Sequence, residues 1–273
     1  MPTVADVLAA LERRFPAALA EDWDVNGLTV GSPTAPVTRV HLAVDPTLAV
    51  AREAITAGAQ LLVTHHPLML RGVTTVAADT AKGAVVHALA GAGVALANAH
   101  TNADHAAGGV ADALAAALNL SVTGPLVPDG ASPTLGTGRV GTLAHGVTLG
   151  EFASAVAAAL PPTAHGVRIA GDLDATVSTV AVVGGAGDSF LDAAREAGVD
   201  VYVTADLRHH VALDARELAN LGDGRPFLVD VSHFASEWAW LAATGAYLEQ
   251  ELGVSASVST LTTDPWTGRV TAP

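Results

Sequence analysis

The chain has 273 residues, half of them hydrophobic but only 4% aromatic, so one large domain or two ordinary ones must pack a core of Ala, Val and Leu. Thirteen Lys and Arg stand against 27 Asp and Glu, and the resulting formal charge of -14 argues against general binding to nucleic acid or to an anionic membrane surface. There are no cysteines, which excludes disulfides and thiolate-held zinc or iron–sulfur clusters; any metal must rest on His, carboxylate or water.

The first stretch, Met1–Phe15, puts Val4, Val7, Leu8 and Leu11 on one side and carries Asp6, Glu12, Arg13 and Arg14, which predicts an amphipathic helix rather than a signal peptide. Asn26-Gly27 is a turn signal ahead of a short strand. After a loop with two prolines, Arg39–Val44 reads as a strand ending at Asp45-Pro46. Leu48–Ala57 reads as a helix closed by Gly58, and Ala59–Thr64 as the next strand, a β-α-β unit of the parallel-sheet kind. This second strand runs out abruptly into His65-His66-Pro67, and polar residues at the carboxyl end of a buried strand stand where open α/β sheets place their ligands. Adjacent histidines on extended backbone face opposite ways, so the pair serves one site only if the chain bends there or if two metals lie side by side. Pro67 stops the strand from continuing.

Lys82–Ala92 predicts a helix and Val94–Ala99 a strand that opens into His100-Thr101-Asn102-Ala103-Asp104-His105, again polar residues at a strand's carboxyl end. Gly108-Gly109 precedes a helix over Val110–Leu118. The uncharged run Gly83–Ala103 is long enough for a membrane span, but His87, Asn98, His100, Asn102 and several glycines split it into helix, turn and strand. A soluble, cytoplasmic protein is the expectation.

A Gly/Pro-rich passage, Gly124–Gly141, leads to a short strand near Val140–Leu143, a helix over Leu149–Leu160, and strands at Val167–Ala170 and Val177–Val183. The stretch Ala57–Thr64 then recurs 140 residues later as Ala197–Thr204, and the same offset carries Val40–Val44 onto Val180–Gly184. One β-α-β unit used twice predicts two related α/β lobes; the alternative is a chance likeness of two ordinary units. Gly184-Gly185-Ala186-Gly187 lacks the dinucleotide and Walker patterns and reads as a tight structural turn between strand and helix. The repeated strand ends in Asp206-Leu207-Arg208-His209-His210. Pro226–Val231 is a further strand emptying into Ser232-His233-Phe234-Ala235-Ser236-Glu237, with helix to about Leu252 and a last strand over Ala256–Leu261. The expected division is a first α/β lobe of residues 1–125 and 226–273 carrying most of the metal ligands, and a second of residues 126–225, with the metal-bearing cleft between them.

His233 and Glu237 are four apart at a helix start, so they share a face and can hold one ion; helix capping is the other reading. With His65, His66 and Asp104 they offer three imidazoles and two carboxylates at the carboxyl ends of strands, a set suited to Zn²⁺, Mn²⁺ or Fe²⁺. His100, His105, His209 and His210 read as outer or substrate-contacting groups or, equally, as solvated surface residues, and His41, His87, His145 and His165 as structural.

In order along the chain, Asp22-Trp23-Asp24…Gly27-Leu28, Thr64-His65-His66-Pro67, His100-Thr101-Asn102-x-Asp104, Gly184-Gly185 with Thr204-x-Asp206, and His233-Phe234-Ala235-Ser236-Glu237 closely resemble the dinuclear-metal-centre proteins known as GTP cyclohydrolase 1 type 2 homologues, the Nif-three-like family. The resemblance covers about Val4 to Trp266. It implies two α/β lobes with the metals between them, a toroidal homohexamer, and two divalent ions per chain (Zn, Fe or Mn). The implied ligands are His65, His66, Asp104, His233 and Glu237, the same five residues. Longer members insert a further domain in the middle, for which this chain is too short. Two function classes follow: a metal-dependent hydrolase acting on a small molecule, with purine ring opening and formate release as the family's nominal reaction, or a non-catalytic metal-binding ring that serves as a scaffold. In the first, Asp206 or His210 is the candidate proton shuttle.

Overall fold

The structure is a computed structural model describing residues 1–130 and 132–270. It divides into two compact units: Met1–Ala106 with Trp240–Thr263, and Ala107–Ala239 with the residues from Asp264 onward. Both are α/β, as the alternation of strand and helix signals predicts. Among the described residues no helix is long and apolar enough to cross a membrane.

The first unit is built on Gly27–Val30 (β1), Arg39–Ala43 (β2), Leu61–Thr64 (β3), Ala95–Asn98 (β4) and, returning after the second unit, Ser255–Val258 (β13); the sheet order is β1-β4-β3-β2-β13. All pairings are parallel except β1 with β4. Helices cover both faces, which is why β3 reads as a continuous apolar run rather than an alternation. On one face Val50, Ala51 and Ala54 of the Leu48–Thr56 helix and Val85 and Leu89 of the Ala81–Ala92 helix bury Ala43, Leu62 and Leu96. On the other, Gly245 of the Trp240–Leu252 helix sits so close to the sheet that a Cβ there would stand 3.2 Å from Ala256 and 3.4 Å from Leu42. Ala43, Thr64 and Asn98 lie abreast, so the residues following β2, β3 and β4 leave the sheet along one edge.

In the second unit Ser121–Gly124 (β5), Arg139–Thr148 (β8), Arg168–Ala170 (β9), Thr176–Ala186 (β10), Val201–Ala205 (β11) and Phe227–Val231 (β12) form a six-stranded sheet in the order β5-β8-β10-β11-β12-β9, while Val127–Asp129 (β6) and Ser132–Thr137 (β7) pair by themselves. The central trio β10-β11-β12 is parallel and the outer strands are antiparallel. Two expectations change here. β12 belongs to this sheet, paired with β11 from Val201↔Phe227 to Ala205↔Val231, and not to the first lobe. A crossover connection lets a parallel strand join whichever sheet has an open place, so chain order alone does not assign it. And β10 runs on through Gly184 and Gly185, which are strand residues rather than a turn before the helix.

The internal echo extends to individual hydrogen bonds. Val40 stands opposite Leu61 in the first unit and Val180 opposite Val201 in the second, the same register at the same 140-residue offset. Gln60 Oε1 accepts from the N–H of Thr38 and Arg39 at 3.0 and 2.9 Å; Asp200 Oδ2 accepts from Ser178 and Thr179 at 2.8 and 2.9 Å. Gly58 and Gly198, which end the two crossover helices, share the left-handed conformation at φ +69° and +66°.

Candidate metal centre

In the first unit the end of β3 decides the geometry. His65 and His66 donate their N–H to the carbonyls of Ala43 and Val44 at 3.1 and 2.9 Å, and the Thr64 hydroxyl donates to the His66 carbonyl at 2.7 Å. This closes a bend at the two histidines, the condition under which neighbours on a strand can serve one place. Their ring centroids are 5.0 Å apart, and the His100 ring lies 5.2 and 5.6 Å from them. One ring nitrogen from each of His65, His66 and His100 falls within 4.8 Å of the others, close enough to share a cation. His65 is fully buried, with Trp240 edge-on at 5.5 Å.

The other ring nitrogen of each is anchored to an oxygen that can only accept. His65 Nδ1 meets the Ala99 carbonyl at 3.0 Å, His66 Nδ1 meets Asp45 Oδ1 at 2.7 Å, and His100 Nδ1 meets Asp24 Oδ1 at 2.7 Å. Nδ1 therefore carries the proton in each, and the lone pair is presented on Nε2, the state in which a histidine ligates a metal. Burial works to raise the Asp24 carboxyl, but hydrogen bonds from His100 and Thr101 outweigh it and hold it well below the usual carboxylate range. Asn26 completes the lock: its Oδ1 accepts the His100 N–H at 2.7 Å and its Nδ2 donates to Asp24 at 2.9 Å. The Asp24-Val25-Asn26 segment thus serves to fix His100, and it runs straight into β1 at Gly27 rather than turning at Asn26-Gly27 as the sequence suggests. Asp104, one turn after His100 on the Thr101–His105 helix rather than at a strand end, places Oδ1 3.6 Å from His65 Nε2.

In the second unit His233 opens the Val231-proximal helix His233–Trp238, and Glu237 follows it by one turn. His233 Nδ1 meets Asp206 Oδ2 at 2.7 Å and its Nε2 meets Glu237 Oε1 at 3.0 Å. Burial alone would lower the His233 pKa, but the Glu237 charge and the hydrogen bonds to Asp206 and Glu237 prevail and raise it to about 11. The hydrogen bond from His233 holds Asp206 below its ordinary value despite partial burial. Asp206 adopts φ +58°, a left-handed backbone that favours short polar residues among non-glycines. The N-cap of this helix is Ser232, and the Ser236 hydroxyl accepts the Gly185 N–H at 2.9 Å and donates to the His233 carbonyl at 2.7 Å.

The two clusters share a plan: the third parallel strand of each unit leads into a histidine whose Nδ1 sits on an aspartate, with a carboxylate four residues on, His100…Asp104 and His233…Glu237. The donor chemistry, imidazole nitrogen and carboxylate oxygen without thiolate, fits a divalent ion of the Zn, Fe or Mn kind. His100 is the ligand-competent residue that its outer-group assignment undervalued. The signal was available, since it follows β4 by the same two residues by which His66 follows β3. Asp24 and Asp45 were also missed as orienting groups, although Asp45 leaves the same sheet edge. His105 Nδ1 is turned to the Leu19 carbonyl at 2.9 Å. His209 and His210 are exposed and packed on each other, ring centroids 5.0 Å apart. His41, buried between Ser257 and Glu53, and His165, against Asp230, have structural partners.

The Duf34/NIF3 (NGG1p interacting factor 3) family model matches residues 2–265. A Streptomyces coelicolor protein named GTP cyclohydrolase 1 type 2 homolog is 50% identical over 277 aligned positions, covering 99% of this chain and 95% of its own. A Mycobacterium tuberculosis protein of the same name is 35% identical over 371 positions, covering 96% of each chain, so it carries inserted sequence absent here. The crystal structure of a Bacillus cereus protein related to NIF3 superposes with a TM-score of 0.88 at 28% identity, over 97% of this chain and 99% of that one. Matched over nearly its whole length, the chain belongs to the Duf34/NIF3 family.

Proposed function

We propose that the protein holds two divalent metal ions on His65, His66, Asp104, His233 and Glu237, joined by His100, and uses them for hydrolysis of a small molecule. The observation that carries this reading is the fixed tautomer of His65, His66 and His100. Each has Nδ1 on a carbonyl or carboxylate, an arrangement that costs buried polar groups their freedom and makes sense where Nε2 must be offered in one direction. His233 likewise has its Nδ1 on a carboxylate, that of Asp206.

Bound divalent ions supply a lowered pKa to a coordinated water, giving hydroxide near neutral pH. The chain's own residues do the rest. Asp24, Asp45 and Asp206 orient the imidazoles, Glu237 and Asp104 supply negative charge against the dications, and Trp240 keeps bulk water from the inner side of His65. Asp206, committed to His233 Nδ1, reads as a positioning residue rather than the proton shuttle. The relatives' name suggests guanine-nucleotide ring opening as the first substrate to try.

The test is a screen of metal-loaded protein on guanine nucleotides, phosphodiesters and amides, with and without chelator. Turnover that vanishes on chelation and returns with one of the three metals is the expected result. Fully metallated protein that hydrolyses nothing across the screen would replace this reading with that of a metal-binding scaffold.

A further inference from the structure

The second unit contains a cleft of about 360 Å³ that the proposed metal chemistry does not use. Its size falls within the roughly 300–1,000 Å³ of small-ligand sites. One wall is a single face of the His209–Asn220 helix, since His209, Ala212, Leu213 and Arg216 recur at i, i+3, i+4 and i+7. Ile169, Leu207 and Leu228 add apolar surface to the lining.

The charges are uneven. Arg168 and Asp230, both at the cleft, neutralise each other, and Asp230 also takes His165 Nε2 at 3.0 Å and the Leu207 N–H at 3.0 Å, so its acceptors are filled. Arg216 is different. Arg139, Arg168, Arg195, Arg208 and Arg225 of this unit each pair with an aspartate, and Arg269, outside the lining, bonds the His165 carbonyl. Arg216 makes no ion pair with any described residue, although the chain has twice as many acids as bases. Its Nη1 donates to the carbonyls of Gly224 and Pro226 at 2.7 and 2.6 Å, its Nη2 reaches Asn220 Oδ1 at 3.5 Å, and its plane packs on Phe227 at 5.4 Å, which fixes the guanidinium without neutralising it and leaves Nε and one Nη2 hydrogen for a ligand. Burial lowers its pKa, with no acid to oppose the shift. The helix adds to the imbalance: its first turn has neither an acidic residue nor a side-chain cap.

We propose that this cleft binds a small organic monocarboxylate, its carboxylate on Arg216 and its hydrocarbon body against Leu207, Leu213 and Leu228. One uncompensated guanidinium matches one carboxylate, in the paired geometry that Arg gives to planar anions. A dianion such as phosphate would be left half-compensated in so acidic a chain. The apolar walls require a body beyond the charged head.

The probe is octanoate, titrated calorimetrically into the full chain, with octylammonium as the same tail carrying the opposite charge. Saturable one-to-one binding of octanoate but not of octylammonium is expected. Leu213 is 46% exposed, so Leu213→Asp puts a like charge on the cleft wall at little cost to folding, and it should weaken octanoate by about tenfold or more. Leu221→Asp, at a position 85% exposed and outside the lining, should leave binding unchanged. Arg216→Gln should abolish it, and because Arg216 also ties two carbonyls, Leu213→Asp and the octylammonium arm carry the test if that variant fails to fold. Absence of saturable octanoate binding, equal binding of octylammonium, or unchanged affinity in Leu213→Asp would overturn the proposal.

Discussion

Glu237 Oε1 lies 3.0 Å from His233 Nε2, and both lie against the bare α-carbon of Gly185: a Cβ there would stand 2.5 Å from Glu237 Oε1 and 3.2 Å from His233 Nε2. Gly185, a strand residue, is therefore part of how the His–Glu pair is seated. Gly184 plays the companion role, since a Cβ there would meet Val110 Cγ1 at 2.7 Å and hold the Val110–Ala117 helix off the sheet.

Gly185→Ala is expected to displace Glu237 and lower metal content. The control is Gly58→Ala, whose φ of +69° is the same but whose Cβ would meet nothing within 4 Å. Each should lose about 1–2 kcal/mol from left-handed strain. Only Gly185→Ala should lose metal, as measured by elemental analysis beside thermal melts. Equal metal content in the two variants would separate Gly185 from the site.

Asp206→Asn removes the charge behind His233 Nδ1 while keeping a residue that tolerates φ +58°. Loss of such an orienting carboxylate typically weakens metal affinity roughly 10–100-fold. A competition titration against a chromophoric chelator reads this directly. Unchanged affinity accompanied by lost turnover would return Asp206 to the role of proton shuttle.

Acid stability should depend on Asp200. Burial acts to raise its pKa, yet the N–H groups of Thr179 and Ser178 and the Arg225 guanidinium overcome this and hold it at about 2. A carboxyl depressed on folding stabilises the fold above its unfolded value near 3.8, and that contribution fades as pH falls from there through about 2. Asp200→Asn should cost about 1–2 kcal/mol at pH 7 and flatten the acid limb of a melting-temperature profile between pH 5 and 2. An acid limb identical to that of the unsubstituted chain would contradict this. The neutral Gln60, making the same two bonds in the first unit, shows that the hydrogen bonds alone do not need the charge.

The hexamer expected from the resemblance can be weighed directly. A hexamer of the 27.3 kDa chain would have a mass of about 164 kDa by light scattering, and a 27 kDa species at micromolar concentration would count against the ring.

Much of the site was legible because its residues leave strands. β3, β4 and β12 are apolar runs broken by histidine, and in a parallel sheet such breaks mark the ligand edge. The 140-residue echo was legible for the same reason, since crossover helices and their Gly58 and Gly198 caps follow local rules. What could not be read depended on partners distant in sequence. β12 joins β11 across a whole helix; Asp24 reaches His100, and Asp45 reaches His66, across spans that no periodicity records. Gly184 and Gly185 looked like a turn because composition does not distinguish a glycine that bends the chain from one that makes room for a carboxylate.

The central claim, that the His and carboxylate motifs hold metal together, is tested most directly by the metal content of Glu237→Gln. The substitution keeps the volume of a buried side chain and leaves an amide oxygen to face His233, so the fold should persist. It removes one of the negative charges that would balance the two proposed dications. Elemental analysis alongside the unsubstituted chain should find about two ions per chain falling to one or none, with an unchanged circular dichroism spectrum. Full occupancy in Glu237→Gln would contradict the account.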